Sequence, residues 1–228
     1  MPDRRPSPLD RVLRTAARLR RRGPAELAGV ARDRLLAWVR SEDELIMLAR
    51  RSQGPVPEVR HDPGLALRVA SAADGELYER AIGTESAATF RRRLTATTRC
   101  FFVEGGDGLL HASWVTTGAA WTREIDAYVV PPPGDAYVYE SFTRPEARGR
   151  GVYPFALLGI CEWAAGAGVT TVWVAVEAGN APSLKAIRKA GFERVYEMRF
   201  GRRWGRLTLV VERPDGAVTP GVAARVEG

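Results

Sequence analysis

Residues 144–155 read RPEARGRGVYPF. Gly149 and Gly151 stand between cationic side chains, directly before a proline and a long apolar run. A β-rich run, AYVYESFT (136–143), precedes the stretch, and PFALLGICEWAAGAG (154–168) ends it. The pattern predicts a strand, a tight glycine turn and the start of a helix. Pro154 suits a first helical turn, where a missing N–H costs nothing. First-turn N–H groups have no intrahelical partner, and the helix dipole favours negative charge there. On this reading Gly149 and Gly151 remove side chains that would keep a diphosphate from those donors, and Arg148 and Arg150 add charge-assisted contacts. A surface turn whose glycines serve only chirality accounts for the same residues equally well.

Outward from this stretch, strands and helices alternate. LALRV (65–69) is a short strand candidate, and residues 73–82 and 84–97 read as helices, the second with Thr84 as N-cap. RCFFVEGGDGLLHASWVTTG (99–118) reads as a hairpin around EGGDG, and EIDAYVV (124–130) as a further strand. TTVWVAVEA (170–178) is an almost wholly apolar, β-branched run, as expected of a strand buried on both faces. The helix APSLKAIRKA (181–190) follows, ended by Gly191. ERVYEMRF and GRLTLVV close the chain as a hairpin across GRRWG.

The N-terminal part reads differently. PAELAGVARDRLLAWVR (24–40) places Leu27, Val30, Ala31, Leu35, Trp38 and Val39 on one helical face. Ser41 followed by Glu44 resembles a capping box that opens another helix over SEDELIMLARR (41–51). QGPVPEVRHDPG (53–64) breaks helical structure. These readings divide the chain into a basic helical extension and linker, 1–63, and a main domain, 64–228.

The 228 residues are 45% hydrophobic, ample for a core, and carry a net charge of +7. Nearly all the positive charge is arginine, with Lys185 and Lys189 the only lysines. Such a balance suits anionic partners, a nucleotide-bearing cofactor among them. No apolar run approaches the ~20 residues that span a bilayer. Two cysteines, Cys100 and Cys161, make no disulfide framework, and a reducing, cytoplasmic setting is expected. No zinc-ligand spacing, nucleophile elbow or Walker loop is present, so no metal is expected.

Arg148, Gly149, Arg150, Gly151 and Val152 resemble the pyrophosphate loop, Q/R-x-x-G-x-G/A, of the GNAT superfamily of acyl-CoA-dependent N-acyltransferases. Tyr153 stands where that pattern has a small residue. A second shared feature is Asn180, Ser183, Lys189, Gly191 and Phe192 in NAPSLKAIRKAGF (180–192). It is the joint occurrence, over roughly residues 64–212, that makes the resemblance specific. It implies an α/β fold of the α+β type: a central mixed, mostly antiparallel sheet with flanking helices. Acetyl-CoA would be the co-substrate. Backbone groups of Phe142 and Thr143 would meet the pantetheine amides, residues 148–153 the pyrophosphate, and Asn180 with Ser183 the pantetheine arm or the loop it enters.

Amine acylation needs an ammonium to lose a proton, a carbonyl oxygen to be stabilised and a thiolate to leave. Glu140, on the strand that enters the loop, matches a position often acidic in the family and is the candidate base. A buried position would suit it to that work, and the alternative is an exposed strand carboxylate or an ion-pair partner. The family's frequent general acid, a tyrosine after the Asn, corresponds to Ile187, so the thiolate either leaves unassisted or is reached by Tyr137, Tyr139 or Tyr196. His111 is more simply structural, and Trp114 and Trp121 either line an acceptor pocket or belong to the core. The leading expectation is an N-acetyltransferase acting on a small-molecule amine by direct transfer in a ternary complex. The alternatives are a noncatalytic acyl-CoA-binding domain and an anionic-surface binder that uses the arginine-rich N-terminus. No nucleic acid is expected as a partner, whereas peripheral membrane contact and a homodimer are both compatible with the sequence.

Overall fold

The computed structural model of the protein describes residues 40–203 and 206–223. In chain order the elements are β1 (Arg40–Arg51), β2 (Ala66–Val69), α1 (Gly75–Ala81), α2 (Ala87–Arg93), β3 (Thr98–Gly105) and β4 (Gly108–Thr116). Then come β5 (Ala120–Thr122), β6 (Ala127–Val130), β7 (Ala136–Thr143), α3 (Val152–Gly166), β8 (Thr171–Glu177) and α4 (Ala181–Lys189). β9 (Glu193–Arg203), β10 (Arg206–Glu212) and β11 (Gly221–Ala223) complete the chain. Eight strands form one sheet in the order β10-β9-β1-β8-β7-β4-β3-β2, and β11, β6 and β5 form a second of three. Every neighbouring pair in the large sheet is antiparallel except β7 with β8. This is the mixed, mostly antiparallel sheet with flanking helices that the sequence implies.

Strand alternation sends side chains to two cores. On one face Met47, Tyr78, Phe90, Phe102, Trp114, Tyr137, Tyr139 and Met198 pack together, beneath α1, α2 and the small sheet. On the other, Ile46, Leu48, Val138, Val174 and Ile187 pack with Leu157, Ile160 and Cys161 of α3. Cys100 and Cys161 are both buried and free, as small core residues. No described helix is long and apolar enough to cross a membrane.

Two local expectations are corrected. The helix expected over residues 41–51 is strand β1, which lies between β8 and β9 inside the large sheet. Leu45, Ile46, Met47 and Leu48 are consecutive, and all are buried, two toward each core. A short apolar run of this kind suits a doubly covered strand and a buried helix alike, and pairing on both edges decides for the strand. The sheet therefore draws in residues that precede the expected main domain. Second, Thr84 does not cap a helix. α2 starts at Ala87, and the Ser86 hydroxyl accepts from the Thr89 N–H at 3.3 Å. Thr84 instead shares a 2.7 Å hydrogen bond with the Tyr78 hydroxyl. The helices expected before residue 40 lie outside the described residues.

A chain that begins at residue 54 lacks β1, which leaves one edge each of β8 and β9 unpaired and divides the large sheet between them. It is expected to show no cooperative thermal transition by circular dichroism. In the full chain Leu48→Ala empties a fully buried position and should cost about 2–5 kcal/mol, read as a lower urea midpoint at unchanged slope.

Candidate active site

The parallel pair β7–β8 is short. Ala136, Tyr137 and Val138 pair with Val172, Trp173 and Val174. No pair is formed beyond them among the described residues, although β7 runs on to Thr143 and β8 to Glu177. Asp135 pins the closed end: its carboxylate accepts from the Thr171 N–H at 3.0 Å and from Trp173 Nε1 at 2.8 Å. At the open end β7 bulges against β4. Ala112 faces Phe142 and Trp114 faces Tyr139, so Ser113 opposes both Glu140 and Ser141. Glu140 has φ 46°, a left-handed conformation that costs a non-glycine residue about 1–3 kcal/mol. The bulge interrupts the alternation of β7, so that Glu140 joins Tyr139 on one face and Ser141 turns to the other.

Glu140 is not buried as expected. Its side chain is 43% exposed and accepts a 2.7 Å bond from NH1 of Arg93, at the end of α2. The same NH1 donates to Glu85 at 3.0 Å. Arg93 and Glu85 are themselves buried, with side chains 7% and 1% exposed. The guanidinium lies 4.0 Å from the centroid of Trp114, a desolvated cation–π contact. Trp114 is core, and so is Trp121, which is 8% exposed in β5. Sequence reading missed Arg93 and Glu85. Their signal is a triple arginine, RRR (91–93), closing a short amphipathic helix with an acidic residue before it.

On the other face runs a hydrogen-bonded chain. Thr143 Oγ1 meets His111 Nδ1, His111 Nε2 meets Ser113 Oγ, and Ser113 Oγ meets Ser141 Oγ, each at 2.7 Å. Ser141 also bonds the Tyr153 hydroxyl, and the Tyr153 ring stacks on His111 with centroids 5.3 Å apart. Tyr153, the departure from the family pattern, is thus turned against the sheet. Burial pushes its phenol up to about 12, against the opposing effect of the Ser141 bond. Burial pushes His111 down to about 3, so its imidazole is neutral, with one nitrogen donating and the other accepting.

The glycine loop has the expected form: α3 starts after Gly151, and both glycines have positive φ, 78° at Gly149 and 77° at Gly151. The two differ in surroundings. A side chain at Gly149 would meet nothing within 4 Å, whereas one at Gly151 would lie 2.3 Å from the Arg60 carbonyl oxygen and 2.7 Å from His61 Cα. Gly151 therefore serves a chain crossing: residues 60–62 pass over it, and the Asp62 N–H bonds the Arg150 carbonyl at 3.1 Å. Arg150 itself is engaged by Asp62 at 2.5 Å and Asp107 at 3.2 Å. Arg148 is exposed, with Nε 3.3 Å from the Thr143 carbonyl. Val152 is buried in the first turn of α3. Phe142 and Thr143 lie half-buried at the open end of β7.

The remaining sequence candidates are placed as follows. Asn180 caps α4, its Oδ1 accepting from the Ser183 N–H at 3.2 Å. Ile187 is fully buried. Tyr196 donates to the Pro220 carbonyl at 3.2 Å, and Tyr137 is buried against Thr122. Of the three tyrosines, only Tyr139 stands at the bulge. Among the described residues no group of three or more His, Cys, Asp or Glu side chains is placed to hold a metal.

The profile of the acetyltransferase (GNAT) family matches residues 78–192, about half of the chain, from α1 to the end of α4. The chain belongs to this family. Among solved structures this GNAT protein resembles a GCN5-related N-acetyltransferase from Sphaerobacter thermophilus, at 13% identity and TM-score 0.54, over 81% of this chain and 56% of that one. It also resembles a GNAT-family protein from Novosphingobium aromaticivorans, at 19% identity and TM-score 0.50, over 76% and 66% of the two chains. The chain thus spans less than two thirds of the length of either, and at these identities the likeness is one of fold. No curated protein sequence matches it.

The buried His111 predicts an acid limb in stability. Its imidazole titrates near 6.5 when unfolded and near 3 when folded, so below pH 6.5 the unfolded chain binds the extra proton. The stability is full above that value and is lost as pH falls toward 3, at up to about 1.4 kcal/mol per pH unit. Thermal midpoints of the parent and of His111→Gln, compared from pH 7 to pH 4, should show a flatter acid limb in the variant.

Proposed function

We propose that the protein is an N-acyltransferase that carries an acetyl or short acyl group from acyl-CoA to the amine of a small molecule. The observation that carries this reading is the opening of β7 from β8 directly ahead of a glycine loop and the N-terminus of α3. Past the last β7–β8 pair, the backbone of β7 would meet an extended pantetheine arm, with Phe142 and Thr143 at its rim. Acetyl-CoA fits the loop on an observation of this chain: the space above Gly149 is free of protein atoms, and Arg148 is exposed beside it. The first-turn amides of Val152 and Tyr153 would face the pyrophosphate. Arg150, held by two carboxylates, would serve to fix the loop, and Asn180 with Ser183 to fix the start of α4.

In the ternary complex the amine nitrogen attacks the thioester carbonyl. A C–N bond forms, the C–S bond breaks, and CoA leaves as the thiolate. Before the attack Glu140 takes a proton from the bound ammonium, directly or through a water, and the nitrogen's second proton passes to the departing thiolate as the C–S bond breaks. A backbone N–H of β7 past the bulge stabilises the oxygen as it gains charge. Glu140 lies on the face lined by Trp114 and Tyr139, which places the acceptor on the α1–α2 side of the sheet.

Gly149 is the position for testing the cofactor, because a change at Gly151 would also disturb residues 60–62. Asn and Asp are near-isosteric, and both tolerate a left-handed backbone. Calorimetric titration with acetyl-CoA should therefore show Gly149→Asp binding at least about tenfold more weakly than Gly149→Asn, through charge repulsion at the diphosphate. Equal affinities would remove the pyrophosphate from the loop. Amine-dependent CoA release from acetyl-CoA, measured over a panel of aliphatic, aromatic and amino-sugar primary amines, tests the transfer itself. Tight acetyl-CoA binding without any such release would instead identify a noncatalytic acyl-CoA-binding domain.

A further inference from the structure

We propose that Arg93 is the positioning residue for Glu140, and that buried Glu85 is its anchor. The inference rests on the reading of Glu140 as the base and adds the machinery that aims it. Glu140 sits at a bulge with φ 46° and a side chain 43% exposed, so its own backbone and packing leave the carboxylate several directions. The direction it takes is set by one atom. Arg93 NH1 bonds Glu140 Oε2 at 2.7 Å and Glu85 Oε2 at 3.0 Å. The guanidinium plane is fixed in turn by Trp114 at 4.0 Å and Tyr139 at 5.4 Å, measured to the ring centroids. Engaging Oε2 from inside the protein turns Oε1 outward, toward the acceptor side, where it takes the ammonium proton. A lysine at this position supplies the charge but not a planar fork that lies on an indole while bridging two carboxylates.

The bond joins two elements remote in sequence. Arg93 ends α2, and Glu140 lies in β7, forty-seven residues further on. Whatever moves α2 against the sheet therefore moves the base, and α2 packs on the acceptor face.

The test uses the full chain, acetyl-CoA, and as acceptors the amine panel and water alone. kcat for CoA release is compared with the acetyl-CoA dissociation constant for Arg93→Ala, Arg93→Lys, Glu85→Gln and Glu140→Gln. Glu140→Gln should lose roughly two to four orders of magnitude in kcat. Arg93→Ala should lose roughly ten- to a hundredfold in kcat, as expected for a misplaced catalytic group, with acetyl-CoA affinity unchanged. Added guanidinium ion should restore much of that loss, whereas sodium at equal ionic strength should not. If Arg93→Ala does not fold, Arg93→Lys decides on the same criterion. A folded Arg93 variant with parental kcat, beside an impaired Glu140→Gln, would overturn the positioning role and leave the base in place. A parental rate in Glu140→Gln would remove the base and this proposal with it.

Discussion

The architecture turns on how far β7 and β8 stay paired. Asp135 ties the two strands where they begin, by accepting from the Thr171 amide and the Trp173 indole. Three residue pairs later the ladder ends, because β7 carries an extra residue against β4 and turns its outer edge away. A parallel pair has no hairpin to hold its far ends together, so one bulge suffices to open it. The result, among the described residues, is a β7–β8 pairing that stops at Val138 and Val174, with the glycine loop and the N-terminus of α3 following the end of β7. Backbone left unpaired in a protein interior is costly unless water or a ligand satisfies it.

The same bulge sorts chemistry by face. Without it Glu140 and Ser141 would simply continue the alternation of β7. With it, Glu140 turns to the aromatic side, where Arg93 and Glu85 meet it, and Ser141 turns to the α3 side, into the chain that joins His111, Ser113 and Tyr153. Arg93, Glu85, His111 and Ser113 are buried, where an unpartnered polar group is expensive. Mutual bonds link each set: an ion-paired arginine stacked on an indole on one face, and a neutral imidazole between hydroxyls on the other. The tyrosine that departs from the small residue of the family loop is thus part of a set: its hydroxyl bonds Ser141 of β7, which in turn bonds Ser113 of β4.

A third constraint ties the loop to the N-terminal connection. Residues 60–62 cross Gly151 so closely that only a glycine fits, and Asp62 holds both the backbone and the guanidinium of Arg150. The connection from β1 to β2 is therefore also the brace of the glycine loop. Of the two glycines that look alike in RGRG, one faces open space and the other carries a chain crossing.

The sequence by itself determined the order of most elements, the strand–loop–helix at residues 136–166 and the family, because these rest on local periodicity, glycine chirality and fixed spacing. It also singled out Glu140, His111 and the Tyr153 departure as residues that need an explanation. It misread residues 41–51, because four consecutive apolar side chains look the same in a covered strand and in a buried helix. Only pairing with β8 and β9, more than a hundred residues away, distinguishes the two. Nor could it show that residues 60–62 cross Gly151 or that Asp62 and Asp107 engage Arg150, because these contacts are made only in the folded chain. The partners of Glu140 lay beyond its reach for the same reason. Arg93 and Glu85 meet it only once α2 has packed on the sheet, and no spacing along the chain encodes a contact made across two elements.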